Sequence, residues 1–168
     1  MQIHQIPQLR NPVAILAFNG WNDAGETATG VISHLMNCWG SKENLIAESS
    51  SEDYYDYQQI RPTVFVDNSR IRRLTWPSTK IFAVLTPHLD FDLVLVRGPE
   101  PSFRWPTFCN ELLDLFDDLE VNLVLTLGAL LADVPHTRRI SVSGSSPNPE
   151  LAKRFGFEVS RYEGPTGI

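Results

Sequence analysis

Cysteine is scarce in this chain, and the two residues present do not form a recognisable site. Cys38 and Cys109 are far apart in the sequence, with no CxxC pair and no histidine cluster beside either one. A disulfide framework and a zinc site both need more ligands at closer spacing. We therefore interpret both residues as buried free thiols and expect no metal ion in the protein.

Positive charge is also in short supply, because 14 lysines and arginines face 20 aspartates and glutamates and give a formal net charge of −6. Such a charge repels polyphosphates and anionic membrane surfaces at long range, so we expect neither nucleic acid nor a membrane as a partner. The one compact basic cluster, Arg70, Arg72 and Arg73, is typical of a solvated strand face.

Long apolar segments are absent as well. No run reaches the ~18 apolar residues of a membrane-spanning helix. Residues 1–5 have neither the basic start nor the apolar core of a signal peptide. These two observations predict a cytoplasmic protein.

Signature motifs of several enzyme classes do not occur. The sequence has no GxSxG elbow, no HExxH zinc motif and no GxGxxG dinucleotide loop. Gly20 and Gly25 have the spacing of a phosphate-binding loop, but Glu26 stands where that loop needs a lysine. We therefore expect no cofactor, whereas an enzyme whose site residues are scattered through the chain stays an open alternative.

Two continuous apolar runs, residues 12–18 and 122–127, are typical of strands buried on both faces of a sheet. Helical spacing of apolar residues follows the first run, and another such helix begins at Pro106. The pattern predicts a single α/β domain over residues 1–168, built as a three-layer αβα sandwich with a mixed sheet. The sheet is mixed because four β-type runs form a predicted antiparallel meander: residues 63–66, 70–75, 80–85 and 91–96.

The turn after the first strand is the first candidate site. Ligands of open α/β sheets bind beyond the carboxyl ends of the strands, and this turn contains Trp21, Asn22 and Asp23. We take these side chains as candidate ligand contacts. Asp23 and Glu26 also have the spacing of a capping box, which gives both acids a structural alternative at the start of the helix.

A second candidate segment follows the strand at 122–127 and places His136 close to Arg138. An arginine fork beside a histidine can bind a carboxylate or a phosphate, and a purely structural turn is the alternative. Glu100 follows another predicted strand. We predict that Glu100, the turn at 21–23 and the turn at 136–138 surround one pocket.

Five short strings stand in order along nearly the whole chain: Asn19–Gly25, Arg61–Val64, Gly98–Pro101, Val134–Arg138 and Gly164–Ile168. In order and rough spacing they resemble the actinobacterial branch of the proteasome assembly chaperone 2 (PAC2) family. Residues 141–146 depart from the family pattern, which has a Thr-Ala-His type stretch there. No role for a histidine is therefore carried over to that segment.

The resemblance implies a phosphorylase/hydrolase-like αβα fold and no established activity. It favours a non-enzymatic binding or assembly protein, with proteasome subunits as partners. The alternative is a hydrolase or a phosphorylase-like enzyme that acts on a small anionic molecule through Asp23, Glu100, His136 and Arg138. Family members also continue beyond the last string, so a fragment of a longer protein is one interpretation of this chain.

Self-association is a further expectation. Members of the family form oligomers, and Trp76, Phe103 and Trp105 lie near chain turns where aromatic side chains are expected to be exposed. A homo-oligomer, with a trimer as first choice, is therefore predicted.

The interpretation of the cysteines and histidines can be tested with a chelator. Because none of these side chains has a recognised ligand spacing, we expect EDTA to leave the melting temperature unchanged. A large fall in the melting temperature would reveal a metal site that the sequence does not display.

Overall fold

The structure is a computed structural model that describes residues 1–39, 44–157 and 163–168. The chain divides into two compact units. The first comprises Met1–Leu130 together with Ile168, and the second comprises Leu131–Gly167. In the described part of the chain, no helix is long and apolar enough to cross a membrane.

The first unit contains the strands and the longer helices. Its strands are β1 (Gln2–Ile3), β2 (Val13–Asn19), β3 (Leu45–Glu48), β4 (Thr63–Val66), β5 (Arg72–Thr75), β6 (Lys80–Val84), β7 (Leu93–Pro99) and β8 (Leu123–Leu127). Its helices are α1 (Thr27–Cys38), α2 (Ser51–Tyr54) and α3 (Trp105–Asp118), and a 3-10 turn at Ala24–Glu26 precedes α1.

Six of these strands form one mixed sheet in the order β1-β3-β6-β7-β2-β8. Strand β2 runs parallel to both of its neighbours, β7 and β8. The pairs β1–β3, β3–β6 and β6–β7 are antiparallel. The prediction of an α/β fold with a mixed sheet is therefore confirmed.

Helices cover both faces of this sheet because successive side chains of a strand point to opposite faces. Ala14, Leu16 and Phe18 of β2 pack in a core cluster with Phe108 and Leu112 of α3. Val13, Ile15 and Ala17 of β2 belong to a second cluster, with the apolar side of α1. Two helical layers with a sheet between them make the predicted three-layer sandwich.

The predicted meander is wrong in one respect. Among the residues that the structure describes, strands β4 and β5 pair with each other alone, as a separate two-stranded sheet. Strand β6 already has β3 on one side and β7 on the other, so it has no free edge for β5. The prediction that residues 122–127 are strongly buried is also wrong, because β8 is the edge strand and none of its residues is fully buried.

The prediction that both thiols are buried is wrong as well. Cys38, at the end of α1, is exposed, and Cys109 of α3 is only partly buried.

In its described residues, 131–157 and 163–167, the second unit contains helix α4 (Pro149–Phe155) and otherwise irregular backbone. Asn148 caps this helix, since its Oδ1 accepts hydrogen bonds from the N–H groups of Glu150 and Leu151 at 2.9 and 3.3 Å. The proline at the first helical turn and the left-handed Gly156 after the last one are typical start and stop signals.

A buried carboxylate, that of Asp92, lies at the amino-terminal ends of the central strands β2 and β7. The side chain of Asp92, immediately before β7, is 1% exposed and receives 2.8 and 3.2 Å hydrogen bonds from the Arg10 guanidinium. The backbone N–H groups of Arg10 and Thr86 each donate to it at 2.9 Å. The Arg10 guanidinium, helped by these two N–H groups, lowers the pKa of Asp92 to about 2.

We predict that Asp92→Ala lowers the free energy of unfolding by about 1–3 kcal/mol, because buried backbone N–H groups lose their acceptor. Chemical denaturation at pH 7 measures this change. The control is Asp90→Ala, whose side chain is exposed and whose expected effect is within ~0.5 kcal/mol. Equal effects of the two substitutions would contradict the role of Asp92.

The same carboxylate predicts a pH dependence. Its pKa falls from 3.8 in the unfolded chain to about 2 in the folded protein. The stabilisation is therefore complete well above pH 4 and is lost as the pH falls toward 2. The difference in stability between wild type and Asp92→Ala should be smaller at pH 3 than at pH 6, and a constant difference would show that the ionised carboxylate is not its source.

Candidate functional site

Three loops leave the sheet at the same edge because β2, β7 and β8 are parallel neighbours. The register pairs Asn19 with Pro99 and Ala17 with Leu127, so all three strands end at nearly the same level. This arrangement brings the turn at 21–23 and Glu100 to one edge of the sheet. Open α/β sheets bind their ligands at such edges.

Asp23 is buried, and its carboxylate is occupied by the start of helix α1. Its Oδ1 accepts hydrogen bonds from the N–H groups of Ala28 and Thr29 at 2.8 and 3.2 Å, and its Oδ2 accepts one from Thr29 Oγ1 at 2.5 Å. These N–H groups belong to the helix terminus, where no intrahelical acceptor exists and the helix dipole favours a negative charge. The structural interpretation of Asp23, as a helix cap, is thus supported.

The predicted capping box is only half formed. In a full box the acid three residues later returns a bond to the capping residue. Glu26 is exposed, and within the described residues its side chain makes no such bond. Asn19, rather than Glu26, extends the hydrogen bonds of the cap, since its Nδ2 donates to Thr29 Oγ1 at 3.3 Å.

Trp21 and Asn22 have different environments. The carbonyl of Asn22 accepts from Ala129 N–H at 2.8 Å, and Ala24 N–H donates to the Ala129 carbonyl at 2.9 Å, so the turn is attached to the loop after β8. The side chain of Asn22 lies over Gly128, where an added Cβ would approach its Nδ2 to 2.9 Å. Trp21 instead projects into solvent and is 56% exposed.

Glu100 lines an open groove of about 510 Å³ at the ends of β2 and β7. Its backbone N–H donates to the Asn19 carbonyl at 3.1 Å, which fixes the two loops together. Its carboxylate Oε1 accepts a hydrogen bond from Ile168 N–H at 2.7 Å. The residues that share the groove with Glu100 include Asn19, Gly20, Gln59, Ser102 and Trp105.

The electrostatic character of the groove is acidic, because Glu100 is the only ionisable side chain among its lining residues in the described part of the chain. A carboxylate accepts N–H donors and attracts cations. The bond from Ile168 is an example of such a donor at this position. The groove is therefore suited to peptide N–H groups or a basic group rather than to an anion.

A buried hydroxyl network holds the end of β7 below the groove. Tyr55 Oη lies 3.0 Å from Ser49 Oγ and 2.8 Å from Thr79 Oγ1, and Thr79 Oγ1 donates to the Pro99 carbonyl at 2.9 Å. Burial raises the pKa of Tyr55, so the phenol keeps its proton. Gly98 permits the backbone of β7 to lie close to Thr79, because a Cβ at residue 98 would lie 2.4 Å from Thr79 Cα.

His136 and Arg138 lie in the second unit. They are exposed, and the N–H of Arg138 donates to the Pro135 carbonyl at 3.0 Å, which closes a turn around the histidine. Glu100 lines the groove, whereas Trp21, Asn22 and Asp23 lie at the same sheet edge outside its lining. The convergence of His136 and Arg138 with these residues stays a prediction.

Several residues of this edge cannot be identified from the sequence. Gln59 reaches the groove from the loop after α2, and Tyr55 and Thr79 support it from below. Their sequence positions carry no signal, because only tertiary packing brings them together. Trp105 was expected to be exposed but is half-buried, with its Nε1 donating to the Pro101 carbonyl at 2.5 Å, whereas Trp76 and Phe103 are exposed as predicted.

We predict that Asp23→Ala destabilises the protein by about 1–2 kcal/mol, because the N–H groups of Ala28 and Thr29 lose their cap. Asp23→Asn keeps one acceptor oxygen and should cost less. Glu26→Ala is the matched control, with an effect within ~0.5 kcal/mol. Thermal unfolding ranks the three variants, and a larger loss for Glu26→Ala than for Asp23→Ala would contradict the assignment of the cap.

Several proteins of known structure are similar to this chain in both sequence and fold. The chain is 50% identical to a PAC2 family protein from Streptomyces avermitilis, with a TM-score of 0.86 over 93% of this chain and 66% of that one. It is 46% identical to a Mycobacterium tuberculosis proteasome-assembly chaperone homologue, with a TM-score of 0.82 over 92% of this chain and 65% of that one. It is also similar to an M. tuberculosis protein of unknown function, at 26% identity and a TM-score of 0.82 over 99% of this chain and 58% of that one.

The chain thus spans about two thirds of the length of the first two of these relatives. Among curated proteins, none matches it. The profile of the PAC2 family matches residues 17–168, which is most of the sequence. The resemblance seen in the five sequence strings is therefore confirmed, and the chain belongs to the PAC2 family.

Proposed function

We propose that this protein is a non-enzymatic binding protein that assists proteasome assembly, with proteasome subunits as its partners. The observation that carries the proposal is the 46% identity, over 92% of the chain, to the mycobacterial protein described as a proteasome-assembly chaperone homologue. A cytoplasmic location and a homo-oligomeric state, with a trimer as first choice, are parts of the same proposal.

The chemistry of the sheet edge supports a binding role. A general acid or base must be free to exchange a proton with a substrate. Asp23 is buried, and hydrogen bonds from the start of α1 engage both of its oxygens. Glu100 accepts a backbone N–H from Ile168. Both carboxylates thus hold the protein's own backbone in place, which is a structural role rather than a catalytic one.

The exposed aromatic residues of this edge are the proposed contact surface. Trp21 follows β2 and is 56% exposed, and Phe103 follows β7 and is 50% exposed. Aromatic side chains dominate the binding energy of many protein interfaces, because each buries a large apolar area at a small loss of side-chain entropy. The edge of the sheet where β2, β7 and β8 end, here called the carboxyl edge, combines these two side chains with the acidic groove around Glu100.

The alternative, an enzyme acting on a small anionic molecule, gains no support from this groove. An anion would be repelled by Glu100, the only ionisable lining residue among those described. The predicted anionic ligand would have to rely on His136 and Arg138, in the second unit. A metabolite released when the purified protein is denatured would favour this alternative.

The proposal is tested by titrating purified proteasome subunits onto the immobilised full chain. We expect saturable binding by the wild type. The double variant Trp21→Ala, Phe103→Ala should bind at least ~10-fold more weakly, because it removes two interface anchors.

The matched control is Leu85→Ala. Leu85 is 55% exposed but follows β6, which runs antiparallel to β7, and so lies at the opposite edge of the sheet. Its affinity should stay within about 2-fold of the wild type, because surface residues away from an interface contribute little. Absence of wild-type binding would overturn the proposed function, and equal losses in the two variants would overturn the assignment of the surface.

A further inference from the structure

The β4–β5 hairpin is exposed on both of its faces. All eight strand residues are exposed, and they include Val64, Phe65, Val66 and Leu74. An isolated two-stranded hairpin is marginally stable in water, and apolar residues on it need a covering surface. The hairpin therefore has the character of an arm whose partner lies outside the chain's own core.

The base of the arm is held in place. The ring of Trp76, just after β5, packs against the ring of Tyr57 with centroids 4.9 Å apart. The tip is ordered by Asp67, whose carboxylate accepts backbone N–H groups of Ser69 and Ile71 at 2.9 Å each. An arm whose base is packed and whose tip is ordered by its own hydrogen bonds loses less conformational entropy when it docks.

The arm is basic, although the protein is acidic. Residues 63–75 contain three arginines and one aspartate, whereas the whole chain carries a net charge of −6. Arg73 pairs with Asp67 at 2.8 Å. Within the described residues, the side chains of Arg70 and Arg72 form no ion pair. These two guanidinium groups lie beside exposed valines. A partner surface that is both acidic and partly apolar would therefore complement the arm.

The solvent face of helix α3 has that composition. Asp114, Asp117 and Asp118 are exposed there, and among the described residues none of them has an ion-pair partner. Leu113, which is 53% exposed, lies on the same side of the helix, one residue before Asp114 and one turn before Asp117. The face therefore offers carboxylates to the arginines and a leucine to the apolar residues of the arm.

We propose that the β4–β5 arm of one copy docks on the α3 face of a second copy of this chain. The occupant is another copy because the complementary surface, acidic with an exposed leucine, is present on the chain itself. The arm and α3 are different surfaces, so the contact is heterologous and closes into a ring when the rotation between copies permits. The inference rests on the homo-oligomeric part of the proposed function and not on its proteasome partner, so a monomeric wild type would leave the test of proteasome binding unaffected.

The test is a charge exchange between the two surfaces, followed by light scattering of the full chain across a concentration series. The arm variant is Arg70→Glu with Arg72→Glu, and the helix variant is Asp114→Arg with Asp117→Arg. We expect each to weaken self-association by at least ~100-fold, because like charges then face each other. The combined variant restores opposite charges and should recover the wild-type particle size.

Circular dichroism and the melting temperature serve as folding controls, since all four positions are exposed. A monomeric wild type overturns the proposal, and so does an arm variant that associates like the wild type. Loss of association in both variants without recovery in the combined one also overturns the pairing. If the wild type is a monomer but its arm binds another acidic protein, the arm has a different partner and the proposal is wrong.

Discussion

Strand β2 lies between two parallel neighbours, and this placement decides where the rest of the first unit can go. Its even-numbered side chains pack with α3 and its odd-numbered ones with α1, so the two helices must cover opposite faces. The parallel pairing with β7 and β8 then directs three loops to one edge. Asp23 attaches the first of these loops to α1, and the Glu100–Asn19 backbone bond joins it to the loop after β7.

Local signals in the sequence predicted much of this architecture. The apolar run of β2, the spacing of α1 and the cap at Asp23 were all recognisable, because each depends on residues close together in the chain. The edge position of β8 was not, since an apolar run is the same in a central strand and in an edge strand. The separate β4–β5 hairpin was missed for a related reason: the neighbours of β6 are set by pairing with distant β3.

The candidate site was predictable in its location but not in its composition. The turn at 21–23 and Glu100 follow strands, and strand ends can be identified from the sequence. The groove also needs Gln59 and the support of Tyr55 and Thr79, which come from a loop and from the start of β6. The edge is acidic and has exposed aromatic residues beside it, and the same acidic chain carries a basic arm. These features support the proposed contact with a protein more than a site for a small anionic substrate.

Hydrogen–deuterium exchange measures directly whether the loops after β2 and β7 contact a protein partner. The exchange of the full chain is measured with and without proteasome subunits at saturating concentration. We predict slower exchange of the amides at residues 20–23 and 100–104 on binding, and no change around Leu85 at the opposite edge of the sheet. Unchanged exchange in both loops, with protection elsewhere or nowhere, would contradict it.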